Sequence, residues 1–502
     1  MNHYTNGFFF IIVLLLLHTI IGVIFMTLND VLNEIKLYNP DEIENVKKAY
    51  ELAEKAHSHQ KRESGEPYII HPLNVCMNLT KFKADGASLC AGLLHDVVED
   101  TDYTLEDIKE MFGEDVAFLV DGVTKISNLH YNTKDEATNA NIRRLINSLN
   151  DDVRIIIIKL CDRLHNMQTL EFKAPEKRIR SAEETLNIFV PLAYFIGAFK
   201  MKCELEDICL SYLDRESYDT LKEKEIYIWK DYEECLKIAG EQVSNILNEQ
   251  GIKFTYRAKI LNVYHLYQKL NKGYKLNYIH DLVNFKLILD DKEDPYRVLG
   301  LIHRLYTPMN NKFKDYIACP KTNMYRSLHT TVFGPDNHLL QFQIKTSTMD
   351  DINSIGLAAY WKFFKAEGKI KMQHELKLNY QFFNTLRDLN AGIDSDSDFI
   401  ERVKQEIFSN NIYVYTLRGD IIELPNGATV IDFAYKIHTD IGNHLYKAFI
   451  NGKEVKLTHK LNNKDRIMLL QREESKPTKT WLEHVVTSSA KRKIKDALKE
   501  NE

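Results

Sequence analysis

Residues Leu93–Asp102 read LLHDVVEDTD, and the reading of this stretch decides how the first part of the chain is organised. His95 and Asp96 are adjacent, and Glu99 and Asp100 each follow one of them by four residues, so one continuous helix would carry all four on a single face. Three carboxylates on a packed face carry a desolvation cost that proteins avoid unless something positive neutralises them. A divalent cation meets that need. An isolated His-Asp pair would mean little, because such pairs are usually surface or capping groups. Here two other segments supply matching donors: His71 in YIIHP, and Asp162 in KLCDRLHNM, with Asn166 one turn beyond it. His71, His95, Asp96 and Asp162 make a mixed nitrogen and oxygen set. It suits Mn²⁺, Mg²⁺ or Fe²⁺ better than a closed thiolate zinc site, and leaves coordination positions for water and substrate. Lys61 and Arg62, upstream, are placed to bind phosphate.

Working outward, apolar residues recur at helical spacing from Asp41 to about Asp214, which predicts an all-helical domain. The charged stretch from Arg215 to Gln250 reads as a helical connector that stops at Gly251. The texture then changes to short apolar runs, NFKLILDD, HTTVFG and LLQFQIKT, with a helical DPYRVLGLIHRLY between them, as in an α/β or α+β domain. NAGIDSDSD marks the next boundary. YVYTLRGDIIELPNG is then two β runs around an Arg-Gly-Asp turn, followed by a helix and more strands, and the last thirty residues are helical and basic near the end.

The chain has 502 residues, with 66 Lys plus Arg against 71 Asp plus Glu, a formal charge of −5. That balance excludes a generally basic nucleic-acid coat and an acidic disordered tail. With 44% hydrophobic residues the composition is that of folded domains, about three at this length. The cysteines, Cys76, Cys90, Cys161, Cys203, Cys209, Cys235 and Cys319, are odd in number and include no CxxC pair, which argues against a disulfide framework and fits a reducing, cytoplasmic setting. Phe8 to Phe25 is long and apolar enough to just span a bilayer, but no Lys or Arg precedes it. It reads either as an anchor, which would bring a membrane into play, or as the product of a start assigned ahead of Met26.

At HQKRESGEPYIIHP, GLLHDVVEDTD, VDGVTK, KLCDRLHNM and PLAYFIG the sequence resembles the hydrolase domain of the long RelA/SpoT homologues, HD-superfamily enzymes that degrade the alarmones ppGpp and pppGpp. The resemblance implies a Mn²⁺ ion held by His71, His95, Asp96 and Asp162. Glu99 and Asp100 would orient or deprotonate the attacking water, and Lys61, Arg62 and Asn166, with Thr169 as a secondary candidate, would contact the nucleotide.

NKFKDYIACPKTNMYRSLHTTVFG, in the expected order after that block, resembles the pyrophosphokinase (synthetase) domain of the same family. Lys312, Lys314 and Lys321 accompany Tyr325, which matches a tyrosine that stacks on guanine, and His329. Asp281 matches a metal-binding aspartate, and Lys269 a downstream lysine. Three positions depart from the pattern. LQFQIKT carries Gln341 where the family has a catalytic Glu, two residues before Gln343. Asn323-Met324-Tyr325 stands where the family has Asn-Gly-Tyr. YRAKILNVYHLYQKL leaves open whether Arg257 or Lys259 plays the ATP-binding arginine. A neutral amide neither binds Mg²⁺ as a charged ligand nor accepts the 3′-hydroxyl proton, so synthesis is expected to be lost, with Mg²⁺ relevant only if it persists.

Asn411 to Gln471 resembles the TGS domain of the family, a ubiquitin-like β-grasp fold, and His438 matches a histidine that meets uncharged tRNA on the ribosome. The zinc-binding and ACT regions of long members do not follow, which sets that ribosome response in question. The implied architecture is multidomain α and α+β: a hydrophobic segment 1–25, an HD-type helical hydrolase 26–214, a connector 215–250, a nucleotidyltransferase-like synthetase domain 251–372, a helical linker 373–408, a TGS domain 409–471 and a helical region 472–502. The implied activity is 3′-pyrophosphohydrolysis of (p)ppGpp to GDP or GTP, with a synthetase-like domain that holds nucleotides and regulates. The rival readings are a bifunctional synthetase/hydrolase and a non-enzymatic nucleotide or tRNA sensor.

Overall fold

Helices begin where capping residues precede an amphipathic run. α1 (Leu28–Lys36) opens on a Thr27/Asp30 capping box, and α4 (Gly86–Leu94) on Asp85, whose carboxylate accepts from the Ser88 amide. The computed structural model describes residues 26–127, 143, 152–291, 293–318, 320–321, 325–358, 395 and 411–499. The apolar stretch Phe8–Phe25, Asn323, Met324 and nearly all of the expected 373–408 linker lie outside these residues. Among the described residues no helix is long and apolar enough to cross a membrane.

Two compact units result. One holds the described residues up to Thr124 together with Ile157–Ala174; the other holds the remainder. The first contains α1, α2 (Ile43–Ala56), α3 (Ile70–Thr80), α4, α5 (Val97–Asp100), α6 (Leu105–Phe112), most of α7 (Glu114–Ser127) and the greater part of α8 (Val153–Gln168). α4 is apolar on all sides, and it is buried on all sides between α2 and α3. Gly92 makes that packing close: a Cβ there would collide with Leu79 of α3.

The single helix face expected for LLHDVVEDTD is not formed. α4 ends at Leu94, His95 and Asp96 make a turn, and the short α5 follows. The cause is local. His95 Nδ1 bonds back to the Gly92 carbonyl at 2.9 Å, taking the acceptor that the next turn of helix would use.

The second unit begins with α9 (Pro175–Glu184), a π-turn (Thr185–Phe189), α10 (Val190–Phe195) and α11 (Phe199–Leu213). These helices were expected with the first block up to Asp214; helical periodicity marks helices but not the body they join. α12 (Arg215–Glu249) is one long helix that ends at Gly251, whose φ of +67° is the left-handed stop a glycine permits.

There follow β1 (Phe254–Ile260), α13 (Val263–Asn271), β2 (Val283–Leu289), α14 (Asp294–Leu305), β3 (Thr307–Pro308), β4 (Lys314–Asp315), β5 (Leu328–Phe333), β6 (Leu339–Thr346) and α15 (Ser347–Ile355). The sheet order is β1-β2-β6-β5-β3, with β4 also on β5; β2 and β6 are parallel and the other pairs antiparallel. Strand alternation gives it two unlike faces. Phe285, Leu287, Phe342 and Ile344 share one core with Val243 and Leu247 of α12 and Val298 and Ile302 of α14. The opposite face is polar.

Farther along, β7 (Asn411–Thr416), β8 (Ile421–Pro425), α16 (Val430–Ile437), α17 (Thr439–Asn443), β9 (Leu445–Ile450), β10 (Lys453–Val455) and β11 (Arg466–Gln471) build a sheet in the order β10-β9-β11-β7-β8. The Arg-Gly-Asp turn joins β7 to β8 as expected. α18 (Trp481–His484) and α19 (Ser488–Lys499) are part of this body: Trp481, Val485, Ala490 and Ile494 enter the core formed by α16 and the sheet. Asp432 of α16, fully buried, ties them in by accepting from the Thr487 amide and hydroxyl, each at 2.8 Å, and from the Val486 amide.

Candidate metal centre

Two helices and one turn converge in the first unit. His71 is on α3, His95 and Asp96 lie at the α4–α5 turn, and Asp162 is on α8. The ligand atoms of His71, His95 and Asp162 all lie within 4.8 Å of one another, and all three residues are buried. Asp96 joins them, with Oδ1 3.1 Å from His95 Nε2 and Oδ2 3.6 Å from His71 Nε2. His71 Nε2 is 3.3 Å from Asp162 Oδ1.

The hydrogen bonds set the tautomers. With Nδ1 donating to the Gly92 carbonyl, His95 presents the lone pair of Nε2, a buried atom that makes no hydrogen bond. A bare lone pair facing a carboxylate oxygen is unfavourable, and a cation between them reverses the sign. His71 Nδ1 meets His165 Nδ1 at 2.8 Å, so one ring donates to the other; where His71 is the donor, its Nε2 presents a lone pair as well. Burial lowers the pKa of His71, and lowers that of His165 to about 3, so both rings are neutral at physiological pH. Burial pushes Asp96 and Asp162 upward. Lys159 beside Asp162 and the Tyr68 hydroxyl bonded to Asp96 act the other way, and both carboxyls lie below the usual carboxylate range. Neutral imidazoles and ionised carboxylates are the donor states a divalent ion requires.

The other candidates are distributed around this cluster. Arg62 donates to Asn166 Oδ1 at 3.1 Å and to Thr169 Oγ1 at 3.4 Å, while the Asn166 amide donates to Asp162 Oδ1. Lys61 is exposed on a short bridge to Pro67. Glu99 and Asp100 lie on the exposed side of α5. The Glu99 carboxyl is raised by burial, against the attraction of Lys159.

Three residues that the sequence reading passed over sit in the site. The Tyr68 hydroxyl donates to Asp96 Oδ2 at 2.7 Å and lies 3.3 Å from Asp100 Oδ2. Lys159 Nζ is 3.0 Å from Asp162 Oδ2. His165 backs His71. The signal was present: Tyr68 precedes His71 by three residues, and Lys159 and His165 stand three residues either side of Asp162, where helix periodicity puts neighbours on one face.

In the second unit, register places Arg257, Lys286, Gln343, His329 and Lys314 in one row across the polar sheet face, and Lys259, Asn284, Gln341 and Thr331 in the next. Gln341 is buried beside Gln343, whose amide donates to Asn284 Oδ1 at 2.8 Å. Asp281 is held by Lys269, with Nζ 2.6 and 2.8 Å from its two oxygens. Arg257 is engaged by Asp350 at 2.7 Å, whereas Lys259 is exposed and shares the Gln341 row. Lys312 is half-buried and Lys314 exposed. The Tyr325 hydroxyl meets His329 Nε2 at 2.8 Å, and its ring contacts with Phe199, Tyr316 and His329 are edge-on. Lys321 Nζ is 5.3 Å from that ring and 4.9 Å from the Tyr316 ring. Burial lowers Lys321 to about 8, and burial with Lys345 beside it does the same to Lys286. His438, exposed, caps α17 by accepting from the Asp440 amide at 3.2 Å.

Comparison with known proteins gives an HD domain over residues 49–198, a region found in RelA / SpoT proteins over 257–368 and a TGS domain over 412–471. The chain is 38% identical over 473 residues to a GTP pyrophosphokinase of Myxococcus xanthus, covering 93% of this chain and 62% of that one. It is 39% identical over 479 residues to a guanosine-3′,5′-bis(diphosphate) 3′-pyrophosphohydrolase of Aquifex aeolicus, covering 95% and 68%. It is 38% identical over 477 residues to a bifunctional (p)ppGpp synthase/hydrolase SpoT of Escherichia coli, covering 94% and 68%. The chain thus spans roughly two thirds of the length of these relatives. An HD domain of this hydrolase type implies a divalent metal, and the four donors fit one.

Proposed function

The chain belongs to the RelA/SpoT family, and from that premise we propose that it is a metal-dependent 3′-pyrophosphohydrolase of ppGpp and pppGpp, releasing pyrophosphate and GDP or GTP. The single observation that carries this reading is the convergence of His71, His95, Asp96 and Asp162 on one buried point. A divalent ion held there, Mn²⁺ in our reading, supplies a Lewis acid that makes water acidic enough to attack at neutral pH.

The protein's own groups do the rest. Glu99 and Asp100, at the solvent side of the cluster, take the proton of the attacking water as it adds to the phosphorus bonded to the ribose 3′ oxygen. The P–O3′ bond breaks, pyrophosphate leaves, and the 3′ oxygen recovers a proton. Arg62, positioned by Asn166 and Thr169, and Lys61 hold the pyrophosphate. Tyr68 and Lys159 hold Oδ2 of Asp96 and Oδ2 of Asp162.

The second unit, in this reading, does not synthesise alarmone. Gln341 supplies no carboxylate, and the remaining acidic candidate, Asp281, is already neutralised by Lys269. The cationic row around Lys286 and Lys321 still suits nucleotide phosphates and gives the domain a regulatory role. His438 as a tRNA contact and the ribosome as a partner belong to the same reading and rest on the family pattern alone.

The deciding experiment is a ppGpp hydrolysis assay with and without Mn²⁺ on wild type and Asp96→Ala. Metal-dependent pyrophosphate release that the substitution abolishes is expected. Binding of ppGpp without cleavage would replace the hydrolase with a sensor. Fast alarmone production from Mg²⁺, ATP and GDP would establish the bifunctional alternative.

A further inference from the structure

A second group of metal donors, none of them used above, lies between α11 and α13 of the second unit, near Lys259, Lys269 and Asp281. Cys203 and Glu206 are three residues apart on α11, and His265 comes from the first turn of α13; one ligand atom from each lies within 4.8 Å of the others. Glu206 is 3% exposed. Its Oε1 is bound to Lys202 Nζ at 2.6 Å, but its Oε2 is buried without a hydrogen bond, 3.8 Å from His265 Nε2. The nearby Asn262 amide donates to Asp207 Oδ1 at 3.0 Å.

Lys202 reveals what the cluster is built to face. Its ammonium also lies 3.1 Å from His265 Nε2, and since an ammonium only donates, that nitrogen accepts and its ring carries the proton on Nδ1. Burial, with Lys202 adding to it, lowers the His265 pKa to about 3, so the ring is neutral. A neutral imidazole lone pair, a buried carboxylate and a thiol therefore surround one point of positive charge. A lysine satisfies only part of this set. It leaves Glu206 Oε2 orphaned, and it cannot recruit the sulfur, whose pKa is raised by burial.

We propose that Cys203, Glu206 and His265 form a zinc site in which the ion displaces the Lys202 ammonium and fastens α11 to α13, with one coordination position left open. Three ligands of N, O and S type with a free position are an established zinc arrangement, and the thiolate selects zinc over Mn²⁺ or Mg²⁺. Zinc–ligand lengths of about 2.0–2.3 Å imply donor separations near 3.5 Å, so from within 4.8 Å of one another the donor atoms close in by at most about 1.3 Å. Lys202 can leave, because its stem is flexible and its side chain is already 11% exposed. The proposal is independent of the hydrolase reading, whose donors include no sulfur.

Cobalt substitution tests it. The full chain is stripped of metal and titrated with Co²⁺, and thiolate-to-cobalt charge transfer is followed in the near ultraviolet. Wild type and Asp96→Ala are expected to show this band, and Cys203→Ser to lack it. Lys202→Met removes the competing charge and is expected to tighten Zn²⁺ binding by about tenfold or more, read by competition with a chelator. Absence of a thiolate band in the wild type, a band that survives Cys203→Ser, or unchanged zinc affinity in Lys202→Met would each overturn the proposal.

Discussion

Tyr68→Phe is the cleanest probe of the metal centre, because it removes one oxygen and leaves the ring. That ring is packed 4.6 Å from His57 and 6.0 Å from His71, centroid to centroid, and phenylalanine preserves both contacts. What is lost is the 2.7 Å bond to Asp96 Oδ2. Because the hydroxyl has one proton and Asp96 is the nearer acceptor, the 3.3 Å contact with Asp100 is the weaker of the two. The bond fixes which oxygen of Asp96 faces inward, leaving Oδ1 beside His95. A hydrogen bond to a charged group contributes about 1.5–3 kcal/mol, which converts to roughly 10- to 100-fold in an equilibrium constant. Loss of a partner to a ligand falls in the same range. Hydrolysis of ppGpp measured against Mn²⁺ concentration should therefore show half-saturation shifted upward by about 10- to 100-fold, with the rate at saturating metal changed by less than about threefold. An unaltered Mn²⁺ dependence would refute the reasoning. So would a rate that no concentration of metal restores in a protein with native circular dichroism.

Lys286 and Lys321, each lowered to about 8, should regain protons when a polyphosphate neutralises their surroundings. Nucleotide binding should then take up protons near pH 8–9 and weaken as pH rises through that range; calorimetry in buffers of differing ionisation enthalpy that finds no uptake would contradict it. Asp432→Asn removes the charge that anchors Val486 and Thr487, at a cost of about 3 kcal/mol, and should speed hydrogen exchange across residues 486–499 by a hundredfold or so. Gln341→Glu restores a carboxylate to the sheet and should raise alarmone synthesis from ATP and GDP at least tenfold over a near-zero wild type. No gain would mean that the Lys269–Asp281 pair alone disables the site.

The sequence made the four candidate donors, which the fold brings together, legible because their chemistry is costly anywhere else, and it made β2, β5 and β6 legible through short apolar runs between turn signals. It did not reveal that His95 ends a helix, since that depends on a side chain competing for the Gly92 carbonyl rather than on propensity. Nor did it reveal the placement of Pro175–Leu213 with the second unit, because amphipathic periodicity records that a face is buried and not against what. The C-terminal helices α18 and α19 were legible as helices. Their contribution of Trp481 and Ile494 to the last domain's core rests on a tertiary contact through Asp432 that no local pattern carries.

The two acidic clusters have fared differently, and the difference bears on function. A buried carboxylate is costly to desolvate, and replacing it with a neutral group of similar shape is often neutral or stabilising. On the sheet a neutral group holds such a place: Gln341 is 8% exposed, and its side-chain oxygen accepts from Gln343 at 3.4 Å. Around His71 the buried groups are carboxylates: Asp96 and Asp162 lie within 4 Å of buried histidines, with Lys159 and Tyr68 holding them. Folding alone favours neutral residues at both places. Buried charge at the second place is therefore not explained by stability, and a metal-dependent reaction at that point is a sufficient cause.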